Sequence, residues 1–376
     1  MHGASSEQDS SLANYRKQLD AITLDIVHAI EKRRELSEKI RDLKERLGSP
    51  VLDLSREEEL VNRLVKGSSV SEKPQLRRVL REVVSLCRNV QKNVKVAVPP
   101  LMGGYCEEAA TAILGSSPQI VGVDSAESAL RTVNSGYADY CVVPYEGTAQ
   151  GAFPATLDSL VELPLSVIGE TVMGIQYHVV SSEDSAAKVK SIHGDPEAIA
   201  ACRGFLLRVF PHARLIYEST LSGSRLEMRS KSASLVTSYD ALQSRLHVLA
   251  ENVQDQKDNA VRFILVGRKG GHISAKAKKG VRYRTSLAFT AANRPGALAG
   301  ILSEFSRREI NLTMIVSRPV RSKKWEYAFV VDFECTQDDK RFEEALRAAR
   351  PNMTSLKLFG TYPAVSAKEL GFTIGK

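Results

Sequence analysis

Apolar side chains recur every three or four residues between Tyr15 and Leu47. They stand at Leu19, Ile22, Ile26, Ala29, Leu36, Ile40, Leu43 and Leu47. This spacing predicts one long helix with an apolar stripe that packs on other helices. Arg33 interrupts the stripe, and a guanidinium there costs several kcal/mol unless an anion meets it. We therefore expect Arg33 to bind an anionic ligand; the alternative is a solvated helix with ordinary surface charges.

Two further cations on the same helix bear on that site. Lys44 follows Arg33 by 11 residues, which on an α-helix is about 20° round the axis and roughly 16 Å along it. Arg33 and Lys44 therefore share a face and are predicted to hold a small dianion between them. Arg16 lies roughly 26 Å before Arg33 and about 100° off that face. If Arg16 is functional, it is predicted to serve a second site in a dimer.

Two shorter helices are predicted after the break at Gly48-Ser49-Pro50. Ser55 and Glu58 have capping-box spacing, which makes Ser55 the expected N-cap of the second helix. The third helix runs from about Pro74 to Gln91. Its apolar residues are Leu76, Val79, Leu80, Val83, Val84, Cys87 and Val90. Three helices leave one face of the long helix uncovered, so a dimer is expected to cover it.

Beyond residue 93 short β-like runs alternate with helical ones, and a second set of such runs begins near Leu165. This order predicts an open α/β sheet in two lobes over residues 93–270, with ligands at the strand ends. A basic, glycine-rich linker follows. Residues 283–362 then show the order βαββαβ, which predicts a ferredoxin-like α+β domain.

Composition sets limits on the function. The length of 376 residues predicts two or three domains. Residues 1–12 are polar and predicted to be a disordered tail, and no apolar run reaches the ~18 residues of a membrane span. Five cysteines without a CxxC pair or metal-ligand cluster indicate a reduced, cytoplasmic protein. The net charge of +8 lacks a nucleic-acid-binding signature and suits small anionic substrates equally well.

Residues 13–92 resemble the all-helical chorismate mutase family. The family's site residues appear as Arg16, Arg33, Lys44, Asp53, Arg56, Glu57 and Gln91. The resemblance implies a dimer with exchanged long helices, in which Arg16 enters the site of the other copy. It also implies roles for each residue. Arg33 and Arg16 would bind carboxylates, Lys44 and Gln91 would donate to the ether oxygen, and Glu57 with Asp53 would hold the ring hydroxyl, supported by Arg56.

The reaction of that family converts chorismate to prephenate by a unimolecular Claisen rearrangement, which needs no nucleophile and no cofactor or metal. A protein assists by holding a compact conformer and by stabilising the charge that develops as the ether C–O bond breaks. Cations and hydrogen-bond donors in one pocket are the residue types that this chemistry requires.

Residues 93–270 resemble prephenate dehydratase. The resemblance rests on residues 103–110, 138–147, 168–170, 218–220 and 259–263. It implies that a dicarboxylate substrate is bound by polar residues of these segments. They are Glu146, Thr148, Ser219, Thr220 and Arg262, of which Arg262 is expected to have a structural or substrate-binding role rather than a catalytic one.

Two positions depart from the dehydratase pattern. Val261 stands where the family has its proton-donating threonine, and Gly147 stands where it has an asparagine. Valine has no hydroxyl and glycine no amide side chain, so neither assists the departure of water. We expect dehydration to be weak or lost. The open alternatives are a fully bifunctional enzyme, a domain that only binds prephenate or an aromatic amino acid, and decarboxylation of prephenate.

Residues 283–362 resemble the ACT domain, an amino-acid-sensing module. The effector-binding motifs match at Gly296, Ala297, Leu298, Ser317, Arg318 and Pro319, while Val316 replaces the family's glutamate. The resemblance implies phenylalanine or another aromatic amino acid as effector. The order of the three domains, followed by a tail at 363–376, resembles the P-protein family of phenylalanine biosynthesis. The expected partners are therefore chorismate, prephenate and a second copy, with no nucleic acid and no membrane.

Overall fold

The structure is a computed structural model that describes residues 3–48, 51–100, 104–218, 230–243, 246–269, 278–320 and 326–365. Ser219 and Thr220, predicted to bind substrate, lie outside the described residues, as does most of the predicted C-terminal tail. A helical domain, a two-lobed α/β domain and an α+β domain follow one another along the chain. This order confirms the predicted multidomain fold class.

The helical domain consists of α1 (Gly3–Leu47), α2 (Leu54–Gly67) and α3 (Lys73–Asn89). The long helix is confirmed, but the prediction of a disordered tail is wrong for residues 3–12, which extend α1. Lengthening a formed helix is cheaper than starting one, and no proline interrupts this segment. None of the described helices is long and apolar enough to cross a bilayer.

The predicted N-cap of the second helix is wrong, and the inward face of the third helix carries charged residues as well as apolar ones. The N-cap of α2 is Asp53, whose Oδ1 accepts the Arg56 backbone N–H at 3.0 Å, and Ser55 already lies inside the helix. On α3 the arginines Arg77 and Arg88 are buried, whereas Val79 is 60% exposed. The other predicted apolar residues of α3 are buried or half-buried, so its inward face also carries arginines, which the carboxylates of α2 draw in.

The α/β domain contains two sheets with helices between the strands. Its elements are β1 (Lys95–Val98), α4 (Tyr105–Leu114), β2 (Gln119–Gly122), α5 (Ala126–Asn134), β3 (Tyr140–Gly147), β4 (Gly151–Ala152), α6 (Pro154–Glu162), β5 (Leu165–Gly174), β6 (Tyr177–Ser181), β7 (Ser191–Gly194), α7 (Pro196–Ala201), α8 (Arg203–Val209), β8 (Arg214–Tyr217), β9 (Ser232–Thr237), α9 (Ser238–Gln243), β10 (His247–Ala250) and β11 (Ala260–Arg268). The smaller lobe has the strand order β10-β6-β9-β7-β8. The chain then returns to the first lobe through β11, as the apolar run at Val261 predicted.

The C-terminal domain has the predicted βαββαβ order. Its elements are β12 (Tyr283–Ala291), α10 (Ala297–Ser306), β13 (Leu312–Pro319), β14 (Tyr327–Phe333), α11 (Lys340–Ala349) and β15 (Met353–Val365). The strand β15 continues past the predicted domain end at residue 362, so Pro363 to Val365 belong to a strand and not to a tail.

This extension of β15 joins two domains into one sheet. Ala364 and Val365 pair in parallel with Glu170 and Thr171 of β5. Within the described residues the sheet has the order β13-β14-β12-β15-β5-β11-β3-β1-β2, with β4 beside β3. Gly360 has φ +150°, and a Cβ there would collide with the Val167 carbonyl oxygen. The close approach of the two strands therefore requires glycine at this position.

Candidate functional site

A cavity of about 1000 Å³ opens between the helical domain and the joined sheet. We call it the helical cavity. Its wall includes α1, α2 and α3 on one side and residues of β5 and β15 on the other. Among the described residues lining it, five are cationic and two are anionic. They are Arg33, Lys44, Arg56, Arg88 and Lys269, against Asp53 and Glu57. This excess of positive charge is complementary to a dianion.

Arg33 and Lys44 both line the helical cavity, as the helical geometry predicted. Arg33 is half-buried, and its Nη1 donates to the Val83 carbonyl at 3.2 Å. The Lys44 ammonium donates to the Val51 carbonyl at 2.8 Å. Partial burial lowers the pKa of Lys44, opposed chiefly by the Asp53 carboxylate. Each cation keeps further N–H groups for a ligand.

Gln91 also lines the helical cavity and carries a buried side-chain oxygen without a hydrogen-bond partner. Such an atom is costly to bury unless a ligand or water satisfies it. Asp53 and Arg56 lie on the rim at the start of α2, where one carboxylate oxygen of Asp53 is occupied as the N-cap. The structure therefore brings together six of the seven predicted residues of the helical domain.

The seventh residue, Arg16, does not line the cavity and is exposed on α1. Large apolar residues on the same half of the helix are exposed as well. They include Tyr15 at 63%, Leu19 at 63%, Ile22 at 56% and Ile26 at 55%. Apolar residues at this spacing form a stripe that a partner helix covers in stable folds.

Arg88 is a residue of the cavity that sequence reasoning missed. Its side chain is 5% exposed and makes a bidentate ion pair with Glu57, with Nε–Oε1 and Nη2–Oε2 distances of 3.0 and 2.9 Å. A signal was present in the sequence, since Arg88 lies one turn before Gln91 and four residues after Val84. A charge at that spacing falls in the predicted apolar stripe of α3.

The two altered positions of the α/β domain face each other directly. Val261 on β11 pairs with Gly147 on β3, and Val261 is fully buried. A Cβ added to Gly147 would lie 3.2 Å from Val261 Cγ2 and 2.5 Å from Gln150 Oε1. Both polar atoms of the Gln150 side chain are buried without a partner. The amide of Gln150 thus occupies the space that a longer side chain at position 147 would need.

Thr148 continues the same pair of strands. Its hydroxyl accepts the Ala260 backbone N–H at 2.9 Å, and its own backbone N–H donates to the Ala260 carbonyl at 2.9 Å. The hydroxyl therefore stabilises the backbone at the end of β3 through this hydrogen bond, although the residue is exposed.

Arg262 points to the opposite face of β11 from Val261, since successive strand residues alternate. There it forms ion pairs with Glu146 at 2.8 Å, Glu170 at 3.3 Å and Asp332 at 2.6 Å. We call these four residues the junction cluster. The cluster connects the α/β domain to β14, which agrees with the expected structural role of Arg262. The binding of substrate by Arg262 and Glu146 stays a prediction.

In the C-terminal domain the predicted effector residues lie in two places, at the N-terminal end of α10 and at the end of β13. Gly296 has φ +79° and caps α10, a conformation that favours glycine. Ala297 is buried, Leu298 is half-buried, and Ser317 and Pro319 on β13 are exposed. The Arg318 guanidinium is already paired with the protein. Its Nε and Nη2 donate to the two carboxylate oxygens of Asp158 on α6, at 2.7 and 3.0 Å. It joins two domains in this structure.

Comparison with known families agrees with the three folds. Residues 15–92 match chorismate mutase type II, residues 101–271 match prephenate dehydratase, and residues 285–351 match the ACT domain. The fold and the helical cavity thus define a multidomain enzyme in which an isomerase domain, a lyase domain and an amino-acid-sensing module share one chain.

Relatives over the whole length make the assignment specific. The chain is 30% identical to a bifunctional chorismate mutase/prephenate dehydratase of Aquifex aeolicus, over 95% of this chain and 99% of that protein. A protein of the same description from Neisseria gonorrhoeae is 26% identical over 94% and 98% of the two chains. The prephenate dehydratase from Arthrobacter aurescens, solved in complex with L-Phe, is 26% identical with a TM-score of 0.63, covering 72% of this chain and 89% of that one. The chain belongs to the bifunctional chorismate mutase/prephenate dehydratase family.

Proposed function

We propose that this protein converts chorismate to prephenate in the helical cavity and dehydrates prephenate weakly or not at all. The observation that carries the first part is the convergence of Arg33, Lys44 and Gln91 on one cavity with an excess of positive charge. The dianionic substrate supplies the counter-charge, and its ether oxygen supplies the acceptor.

Each residue of the helical cavity has its own role in the rearrangement. Arg33 binds a substrate carboxylate and so holds the reactive conformer. Lys44 and the amide of Gln91 donate to the ether oxygen, on which negative charge develops as the C–O bond breaks. Glu57 accepts the hydrogen bond of the ring hydroxyl, and Asp53 and Arg56 support it from the start of α2. No proton needs to be transferred, so preorganised donors account for the catalysis.

The active assembly in this proposal is a homodimer. The exposed apolar stripe of α1 suits a second copy of the same helix, and Arg16 lies on that stretch. Burying the stripe would place Arg16 of each chain in the helical cavity of the other. One more cation would then meet the second carboxylate of chorismate.

The weak dehydratase activity follows from the pair Val261 and Gly147. Loss of the prephenate hydroxyl is helped by a proton donor, and a valine methyl has no proton to give. The alternative is decarboxylation with the hydroxyl retained, in which the electron pair left by the departing CO2 takes a proton from solvent water on the ring instead of expelling hydroxide. The C-terminal domain is proposed to bind an aromatic amino acid near Gly296 and Ser317.

The test is the product mixture formed from chorismate by the full-length protein. Accumulation of prephenate, with little phenylpyruvate, is the expected result. Phenylpyruvate formed as fast as chorismate disappears would contradict the weak-dehydratase proposal, and a non-aromatic decarboxylated product would identify the altered chemistry. Calorimetry with phenylalanine and tyrosine tests the effector proposal, which an absence of heat from both would contradict.

A further inference from the structure

The side chain of Arg88 connects two domains. Its Nε and Nη2 donate to the two carboxylate oxygens of Glu57 at 3.0 and 2.9 Å, and its Nη1 donates to the Leu114 carbonyl at 3.1 Å. Glu57 lines the helical cavity, whereas Leu114 is the last residue of α4 in the α/β domain. Both edges of the guanidinium are thereby occupied by the protein.

The contact with Glu57 fixes the direction of a carboxylate that faces the ligand. Two parallel N–H···O bonds hold a carboxylate in the plane of the guanidinium and restrict its rotation. Each oxygen of Glu57 keeps a second lone pair. Glu57 therefore remains able to accept a hydrogen bond from a ligand hydroxyl, but from one direction rather than from many.

The contact with Leu114 anchors the guanidinium itself. A cation at the C-terminal end of a helix is favoured by the helix dipole and by the unpaired carbonyls there. The first turn of α4 carries Tyr105 and Cys106, which lie in the same buried apolar cluster as Val261. The helix is thus held firmly in the core of the α/β domain and gives Arg88 a rigid support.

We propose that Arg88 is a positioning residue of the chorismate mutase reaction, which holds Glu57 in the orientation that the substrate hydroxyl requires. Its bond to the Leu114 carbonyl fixes that orientation relative to α4. This inference rests on the proposed mutase function. It predicts that the mutase site is complete only when the α/β domain is packed against the helical domain.

Arg81 provides a matched control on the same helix. Its Nη2 pairs with Glu58 at 2.6 Å, and its Nη1 donates to the Ala112 carbonyl of α4 at 2.6 Å. Glu58 does not line the helical cavity and also pairs with Arg77 at 2.5 Å. Loss of Arg81 therefore removes an equivalent contact between the domains without releasing a carboxylate of the site.

The experiment compares full-length wild type, Arg88→Met, Arg88→Lys and Arg81→Met in chorismate turnover and in thermal unfolding. We expect Arg88→Met to lower kcat about 10- to 100-fold, as for other residues that orient a group in a site. Arg88→Lys should recover part of this loss, because lysine keeps the charge but not the fork. Arg81→Met should lower the melting temperature by about as much as Arg88→Met does, because each loses one contact with α4. Its kcat should equal that of the wild type.

Three outcomes would overturn the inference. Wild-type kcat in Arg88→Lys would show that the bidentate ion pair with Glu57 is not needed. This result can be interpreted even if Arg88→Met does not fold. Unchanged kcat and KM in a folded Arg88→Met would show the same. An equal loss of kcat in Arg81→Met would reduce the effect to general loosening of the domains. An inactive wild type would instead overturn the proposed function, and this inference with it.

Discussion

Arg262 and Asp332 form a buried ion pair across a domain boundary, with 2.6 Å between Nη2 and Oδ2. Asp332 is inaccessible to solvent, and the Tyr145 hydroxyl donates to its other oxygen at 3.1 Å. The ring of Tyr145 also lies under the guanidinium, with 4.7 Å from Cζ to the ring centroid. The strand that carries the altered position Val261 is therefore fixed to the ACT domain by its neighbouring residue.

Removing this cation should destabilise both domains together. Arg262→Met leaves the carboxylates of Glu146, Glu170 and Asp332 without their shared partner, and breaking a buried pair from one side costs about 3–5 kcal/mol. We expect the denaturation midpoint to fall accordingly. Arg268→Met on the same strand is the control, since Arg268 is exposed. Equal stability of the two variants would show that the junction cluster does not hold the domains together.

Restoring the missing side chains should raise dehydration. Val261→Thr with Gly147→Asn places a hydroxyl and an amide at the facing positions once the flexible Gln150 side chain moves out of the space beside residue 147. General acid assistance is typically worth about 100-fold or more. We expect phenylpyruvate formation from prephenate to rise by about that factor. The buried hydroxyl costs about 1–3 kcal/mol of stability unless the Gln150 amide bonds it.

The control for this gain is Val261→Ala, which changes the volume of the same site without adding a hydroxyl. It should form no more phenylpyruvate than the wild type does. If the double variant dehydrates prephenate no faster than Val261→Ala, the two substitutions are not what limits this domain.

The pH dependence of the mutase reaction should reflect Lys44. Burial lowers its pKa, Asp53 and Glu57 raise it, and Arg56 and Arg88 lower it further. The lysine must keep its proton to donate to the ether oxygen, so kcat/KM falls as the pH rises through this pKa. We expect that fall to occur below the pH at which an exposed lysine titrates.

Neutralising a nearby carboxylate should move this alkaline limb. Glu57→Gln removes a charge that raises the pKa of Lys44, so the limb should shift to lower pH, whatever the loss in rate. Glu59→Gln on the same helix is the control, because Glu59 does not line the helical cavity. An alkaline limb at the same pH in both variants would mean that Lys44 does not control it.

Local periodicity was sufficient to predict the elements and part of the site. The spacing of Arg33 and Lys44 on one helix depends only on helix geometry, and both residues line the predicted cavity. The order βαββαβ likewise followed from alternation and turn residues. Such signals are local, so they are readable from one stretch of sequence at a time.

What the sequence did not reveal depends on partners distant in the chain. Arg88 was missed because its role comes from Glu57, 31 residues away, and from a carbonyl of another domain. The ion pair of Arg262 with Asp332 was equally hidden, because Asp332 lies in another domain. The joining of β15 to β5 depends on Gly360. The need for glycine there comes from the close approach of the Val167 carbonyl, which the sequence near Gly360 does not show.

The dimer proposal has a direct test in mixed assemblies. Arg33→Ala should abolish chorismate turnover without unfolding the protein, since Arg33 is half-buried at the cavity wall, and Arg16→Ala should lower turnover about 100-fold or more. When the two variants are co-expressed in equal amounts, random pairing makes half of the dimers mixed. Each mixed dimer then has one site with both arginines, so about one quarter of the wild-type turnover should return. If Arg16 acted in the site of its own chain, every site would lack one arginine and no turnover would return.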